Sequence, residues 1–263
     1  MSLLRADDLS VRHPGGHELV RGLSFGVEPG ARLGLVGESG SGKSLTALAV
    51  MGLLPAGMTA GGSVVLGGTQ VVGASGRTLD RIRGRSASMV FQEPLTALDP
   101  LMRVGRQIAG PIRRRRGLRG GALRAAVMEA LSEVRLPGRV AGAYPHEISG
   151  GQRQRVAIAM ALACEPELLI ADEPTTALDV TVQAEVLALL DGLVAGRGMA
   201  LLFIGHDLAV VADVADRVVV LKEGSAVESG RTRDVVGEPR HPYTRSLVDS
   251  ARALEGELDR LAP

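Results

Sequence analysis

Residues 37–44 read Gly37, Glu38, Ser39, Gly40, Ser41, Gly42, Lys43 and Ser44, and residue types at this spacing hold phosphate. They match G-x-x-x-x-G-K-[ST], with an apolar strand-like run before them (Leu33–Val36) and an apolar helical run after, the context the pattern requires. The glycines let backbone N–H groups close around phosphate oxygens, and the start of the following helix adds positive potential. Lys43 is suited to reach the β- and γ-phosphates and the Ser44 hydroxyl to ligate Mg²⁺. Of 30 basic residues only Lys43 and Lys222 are lysines. A chain that otherwise uses arginine keeps lysine at 43 because this position needs a compact ammonium, which a planar guanidinium cannot replace.

Two carboxylates, Asp172 and Glu173, end the apolar run "LLIADEP" (168–174). Asp172 is suited to hold Mg²⁺ through its water shell. Glu173 is suited to face a γ-phosphate and polarise an attacking water. Taken alone, the same pair is what a solvated helix start looks like, since acids favour helix N-termini. His206 ends "MALLFIGHD" (199–207); a lone histidine there is more often structural, but beside a phosphate it can donate a hydrogen bond to the γ-phosphate. Gln92, before Pro94, reads either as an ordinary strand-end amide or as a ligand sensor.

A second glycine turn, Ser149, Gly150, Gly151 and Gln152, opens the apolar helix "GGQRQRVAIAMALA". Ser149 is a good N-cap, and glycines leave N–H groups open to phosphate. A capped core helix without any ligand fits these residues equally well. Arg153 and Arg155 read as solvated helix positions.

The elements that must carry these residues follow from periodicity. Residues 33–55 read as strand, loop and a helix ended by Pro55. "GGSVVLGGTQVVG" (61–73) and "RVVVLKEGSAVESG" (217–230) read as hairpins, the second around Glu223-Gly224. "SASMVFQEP" (86–94) is a short strand stopped by Pro94. Residues 95–148 show helical segments near 102–116 and 121–135 and no strand pattern, and "HPYTRSLVDSARALEGEL" a terminal helix. Strands alternating with helices imply an α/β parallel sheet, interrupted by a helical insertion. Lys43, Gln92, Asp172, Glu173 and His206 each follow an apolar strand-like run, and ligands of open α/β sheets sit beyond the carboxyl ends of strands.

Composition removes other classes. A net charge of +1 gives no general attraction for nucleic acid or acidic lipid. Aromatic residues make up 2%, too few for base-stacking platforms. The four charges Arg113–Arg116, without interleaved aromatics, read as a solvated stretch. One cysteine, Cys164, excludes an internal disulfide framework and suits a reducing compartment. No apolar run reaches the ~18 residues of a membrane span, and the early acids of "MSLLRADDLS" make a poor signal peptide.

Together, "GESGSGKS", Gln92, "SGGQRQR" (149–155), "LLIADEP", "TALD" (176–179) and His206 resemble the nucleotide-binding subunit of an ATP-binding cassette (ABC) transporter over nearly the whole chain. The resemblance implies an α/β P-loop NTPase (RecA-like) parallel core with a small N-terminal antiparallel β subdomain and an inserted helical subdomain. It implies one cassette over 1–263: a nucleotide-binding core at 1–92 and 155–236, a helical subdomain at 93–154, and a tail at 237–263. ATP and Mg²⁺ are the implied ligands. Gly37 to Ser44 and Gln92 would bind ATP, Ser44, Gln92 and Asp172 would serve Mg²⁺, and Glu173 and His206 would be catalytic. Two such subunits pair head to tail, so Ser149, Gly150, Gly151, Gln152 and Asp179 would contact ATP held by the partner. An aromatic residue near the N-terminus usually stacks on adenine; His13 stands at that place, with less ring face than tyrosine.

"FQEPLTALDPLMRVGRQI" and "GEPRHPYTRSL" are similar to the peptide and nickel importer branch, with Asp99 where the branch often has Asn. The implied partners are a second, related ATPase subunit, two membrane permease subunits and an extracytoplasmic solute-binding protein, with no nucleic acid. The implied location is peripheral, on the cytoplasmic face of the cell membrane. Longer relatives carry a cysteine cluster after "HPYT"; its lack here leads to the expectation of no iron–sulfur cluster, and the shorter length leans toward nickel or metal-chelate solutes. A soluble ABC ATPase of DNA repair or translation is the alternative, usually built with two cassettes or long coiled coils. A P-loop kinase would need neither "SGGQ" nor His206.

Overall fold

The structure is a computed structural model describing residues 2–93, 97–176 and 178–261, without the side chains of 254–261. Pro94, expected to stop a strand, and Ala177 of "TALD" lie outside the described residues. The first elements are β1 (Leu4–Arg12), β2 (Glu18–Val27), β3 (Arg32–Val36), α1 (Lys43–Met51), β4 (Thr59–Leu66), β5 (Thr69–Gln70) and α2 (Gly76–Ile82). Then come β6 (Ala87–Val90), α3 (Val104–Arg116), α4 (Gly120–Glu133), α5 (Gly150–Leu162), β7 (Leu168–Asp172) and α6 (Val180–Arg197). The chain closes with β8 (Ala200–Gly205), α7 (Leu208–Val214), β9 (Arg217–Lys222), β10 (Ser225–Arg231), α8 (Thr232–Gly237) and α9 (Pro242–Leu261). It divides into two compact units, Met1–Asp80 with Ala200–Pro263, and Arg81–Met199.

The first unit holds an antiparallel sheet in the order β2-β1-β4-β5. Leu4, Ala6, Leu9 and Val11 of β1 are buried, and their alternation slips once, at Asp7–Asp8. Asp8 takes φ 50°, and the facing Gly62 has no room for a side chain, since a Cβ there would lie 2.2 Å from the Asp8 carbonyl oxygen. This is a β-bulge, one extra residue bending the strand.

In the same unit β3 lies between β8 and β9, parallel to both, and β10 folds back antiparallel on β9. Leu33, Leu35, Val36, Leu201, Leu202, Phe203, Ile204 and Val218–Leu221 are all buried. Such continuous apolar runs are what a parallel sheet covered on both faces requires. Helix α1 ends at Gly52, which takes φ 62° and returns its N–H to the Ala49 carbonyl, while the Leu53 N–H reaches Leu48. The glycine C-cap therefore ends the helix before Pro55, which was expected to do so.

The tail is tied to the same unit. Glu228 accepts hydrogen bonds from the Arg240 N–H on Oε1 (3.0 Å) and the His241 N–H on Oε2 (3.0 Å). Burial pushes the Glu228 carboxyl up, but the Arg240 amide, the Thr244 hydroxyl and the His241 amide and charge together hold the group below its usual range.

The second unit pairs β6 with β7 in parallel, Val90 opposite Ala171. Its described residues between 97 and 162 contain helix and turn but no strand, as the patterning implies. Val104, Ile108 and Ile112 of α3 are buried at four-residue spacing, one helix face. The Gln107 amide joins that face, giving its Nε2 to the Asp99 and Met102 carbonyls and its Oε1 to the Asp99 N–H. Arg113–Arg116 are exposed in the last turn of α3, where cations complement the helix dipole. Among the described residues no helix is long and apolar enough to cross a membrane.

Candidate functional site

The phosphate-loop candidates lie in the first unit and continue β3 into α1. Gly40 and Gly42 sit at φ 81° and 97°, a region side chains disfavour. Gly37 is held close: a Cβ there would lie 2.2 Å from the Leu221 carbonyl oxygen and 2.8 Å from Ser41 Oγ. At Gly42 a Cβ would meet the Leu19 carbonyl oxygen at 2.9 Å, so β2 also presses on the loop. The β9–β10 turn completes the frame, its Gly224 N–H donating to the Ser41 carbonyl (3.2 Å).

Lys43 is 4% exposed, and its Nζ donates to the carbonyls of Gly37 (2.7 Å) and Glu38 (2.9 Å). The Ser41 hydroxyl, also 4% exposed, has no hydrogen-bond partner. Ser44 follows Lys43 in the first turn of α1; Glu38 and Ser39 are exposed. Val36 is opposite Gly205 in the β3–β8 ladder, so His206 leaves the sheet beside the start of the loop. Asp207 caps α7 by accepting the Ala209 N–H (2.8 Å). His13 is exposed in the β1–β2 connection, its Nδ1 accepting the Gly15 N–H (3.0 Å).

The second unit carries the carboxylates and the second glycine turn. Asp172 is buried at the end of β7, and the chain turns at Glu173 with φ 44°. Glu173 Oε2 accepts from Gln92 Nε2 (3.1 Å) and from Thr176 Oγ1 (3.0 Å). Gln92 and Glu173, 81 positions apart, are thus joined through the parallel pair β6–β7. Thr176 entered the sequence reading only as a letter of "TALD"; its hydroxyl holds the carboxylate.

Ser149 caps α5. Its Oγ accepts the Gln152 N–H (3.3 Å), and Gln152 Oε1 accepts the Ser149 N–H (3.1 Å), a reciprocal capping box. Gly151 has a steric reason to lack a side chain, because a Cβ there would lie 2.5 Å from Val182 Cγ1. Gly150 has only an ordinary contact with Leu178, at 3.6 Å. Asp179, exposed, caps α6 by accepting the Val182 N–H (3.0 Å).

Arg153 and Arg155, read from sequence as solvated, are not. Arg153 Nε donates to the carbonyls of Pro145 (2.9 Å) and Ile148 (3.1 Å), pinning the chain that leads into Ser149. The Arg155 side chain is 13% exposed and pairs with Glu185. Periodicity alone could not see these partners: Pro145 and Ile148 accept through backbone carbonyls in the short turns before the helix, and Glu185 comes from a different helix. Cys164 is half-buried, and burial pushes its thiol up against the lowering pull of Arg114 and Arg115, so it is a protonated thiol rather than a nucleophile.

Comparison with known proteins sets these features beside others. A family model described as "ABC transporter" matches residues 20–176. The putative peptide import ATP-binding protein of Brucella ovis is 50% identical over 242 residues, covering 87% of this chain and 70% of its own length. The oligopeptide transport ATP-binding protein OppD of Salmonella typhimurium is 44% identical over 260 residues, covering 97% and 78%. A solved dimeric ATP-binding cassette in a post-hydrolysis state, bound to ADP and Pi, is similar with a TM-score of 0.77 at 28% identity, covering 88% of this chain and 99% of that one. For cbiO1 of Clostridium perfringens, part of the ABC transporter complex cbiONQ, the TM-score is 0.78 at 27% identity, covering 90% and 91%.

Proposed function

Because the chain belongs to the ABC transporter family, we propose that it is the ATP-hydrolysing subunit that energises a peptide importer. The observation that carries this reading is the phosphate loop: two left-handed glycines, a buried lysine, and a buried serine hydroxyl without a partner. A buried donor left unsatisfied costs free energy unless a ligand meets it, and phosphate oxygens are acceptors. The peptide names of the relatives support peptides as the solute and transport over a repair or translation role.

The roles follow residue by residue. Gly37 to Ser44 hold the phosphates of ATP, with Lys43 on the β- and γ-phosphates, and His13 lies against adenine. Glu173 polarises the attacking water, and His206 donates to the γ-phosphate. Gln92 senses the nucleotide. Ser44, Asp172 and Gln92 supply oxygen, the donor type Mg²⁺ takes. Among the described residues no three His, Cys, Asp or Glu side chains cluster as a metal cage. A Mg²⁺ held with the phosphates would neutralise their charge.

Ser149, Gly150, Gly151, Gln152 and Asp179 complete the site of a second ATPase subunit, a related heterologous chain, in a head-to-tail pair. ATP closes that pair because it touches both subunits only when closed, and a differential contact of this kind shifts a population. Val180, next to Asp179, is 75% exposed and supports an interface at this place. Two permease subunits are the membrane partners; Leu101, 88% exposed, supports docking of a membrane-subunit helix against residues 93–148 of the helical region 93–154, with 1–92 and 155–236 serving the nucleotide. An extracytoplasmic binding protein delivers the solute, and the subunit works on the cytoplasmic face of the membrane.

The shared site is tested by Ser149→Arg. ATP hydrolysis at the partner's site is expected to fall at least ~100-fold, as when a preorganised donor is lost. Binding of ATP to the variant chain's own loop should remain. Undiminished hydrolysis at the partner's site would contradict the reading.

A further inference from the structure

We propose that Tyr243, from the tail, is a positioning residue for the phosphate loop, fixing the orientation of the Gly37–Glu38 peptide. The inference rests on the reading of that loop as an ATP site and goes beyond it. Tyr243 is 7% exposed in the first turn of α9, and its hydroxyl accepts the Glu38 N–H at 2.9 Å. The carbonyl of the same peptide unit, that of Gly37, accepts from Lys43 Nζ at 2.7 Å. The plane that starts the loop is therefore gripped on both edges, by the loop's own lysine and by a residue 205 positions away.

Three further features keep the phenol in place. Lys222 Nζ lies 5.2 Å from the centre of the Tyr243 ring, a cation–π distance. The two lysines of the chain thus serve one peptide, Lys43 directly and Lys222 through the ring. The turn before Tyr243 is held by the two amides that Glu228 accepts, and the Tyr243 N–H donates to His241 Nδ1 (3.2 Å). Burial pushes the Tyr243 hydroxyl above its ordinary value, so the group stays a neutral phenol that can accept from an amide.

The consequence is a preorganised loop. A phosphate cradle works when its N–H groups are already aimed, so that binding does not have to order them. With the hydroxyl gone, the Glu38 N–H loses its acceptor and the peptide can rotate, taking the Gly37 carbonyl away from Lys43.

Tyr243→Phe keeps the ring, its burial and the contact with Lys222, and removes only the hydroxyl. In the assembled transporter, KM for MgATP is expected to rise about fivefold, the scale of one lost hydrogen bond, with little change in kcat. Amide hydrogen exchange at Glu38 in the nucleotide-free protein is expected to quicken, while thermal midpoint and exchange in β3 stay as in the parent. Equal KM and equal exchange at Glu38 would overturn the proposal, as would a general loss of stability with KM unchanged. The exchange readout needs no nucleotide. If the parent failed to bind ATP while Glu38 exchange still quickened in the variant, the ATP reading would fall and the tether would stand.

Discussion

Glu173→Gln is expected to lower ATP turnover by about 10²- to 10⁴-fold, the scale contributed by a positioned general base, while ATP still binds. The amide has nearly the same shape, and its oxygen can still accept from Gln92 Nε2 and Thr176 Oγ1, which hold the native carboxylate at 3.1 and 3.0 Å. The loss therefore isolates the negative charge from the geometry. The backbone gives the position further meaning. Glu173 sits at φ 44°, where a non-glycine residue is held at a cost of about 1–2 kcal/mol. That cost persists because the surrounding bonds fix the turn, and strained backbone of this kind concentrates at functional sites. With ATP present, the variant pair should accumulate in the closed state, visible as a stable dimer in size-exclusion chromatography with light scattering. Turnover close to that of the parent would sink the assignment.

Lys43→Arg is the second large effect. Both side chains carry one charge, so a purely electrostatic role would survive the exchange. The site is 4% exposed, and the ammonium bonds two carbonyls, of Gly37 and Glu38, from one compact centre. A guanidinium is planar, bulkier and forked, and cannot reproduce that pair of contacts. We expect ATP affinity to fall at least ~10-fold and turnover at least ~100-fold, the latter on the scale of a lost transition-state donor. Calorimetric titration with ATP and a phosphate-release assay measure the two. Overpacking costs about 1–3 kcal/mol, so the thermal midpoint should also drop. Lys43→Ala, which cannot overpack, should lose nucleotide binding with a smaller drop. Unaltered turnover in Lys43→Arg would make the lysine in an arginine-rich chain an accident of composition.

Much of this was legible because it is local. The strand, loop and helix around 33–51 can be read from periodicity and glycine spacing, since each residue's role depends on close neighbours. The Glu223-Gly224 hairpin and the capping box of Ser149 and Gln152 are local in the same sense. The end of α1 shows the limit: Gly52 and Pro55 are both stop signals, and the chain uses the one it meets first. Gly151 shows another, since its neighbour Val182 comes from a different helix and gives a packing reason that spacing cannot reveal. Arg153, Arg155 and Tyr243 are hidden for a common reason. Their partners are carbonyls, a carboxylate or an amide that residue type and periodicity do not mark, from five and eight positions back for Arg153 to 205 positions away for Tyr243. Tyr243 stood inside the "HPYT" segment and Lys222 was the second lysine, but nothing in either stretch linked the ring to the lysine or to the loop.

The hydrogen bond between Tyr243 and the phosphate loop also has an optical consequence. The chain contains no tryptophan and two tyrosines. Tyr144 belongs to the second unit, with its ring near His146 and Arg103. Tyr243 belongs to the first, its hydroxyl on Glu38. Tyrosine emission responds to hydrogen bonding at the phenol, and here no indole masks it. The unlabelled protein therefore carries one tyrosine fluorophore in each compact unit, and one of the two is wired to the proposed phosphate loop.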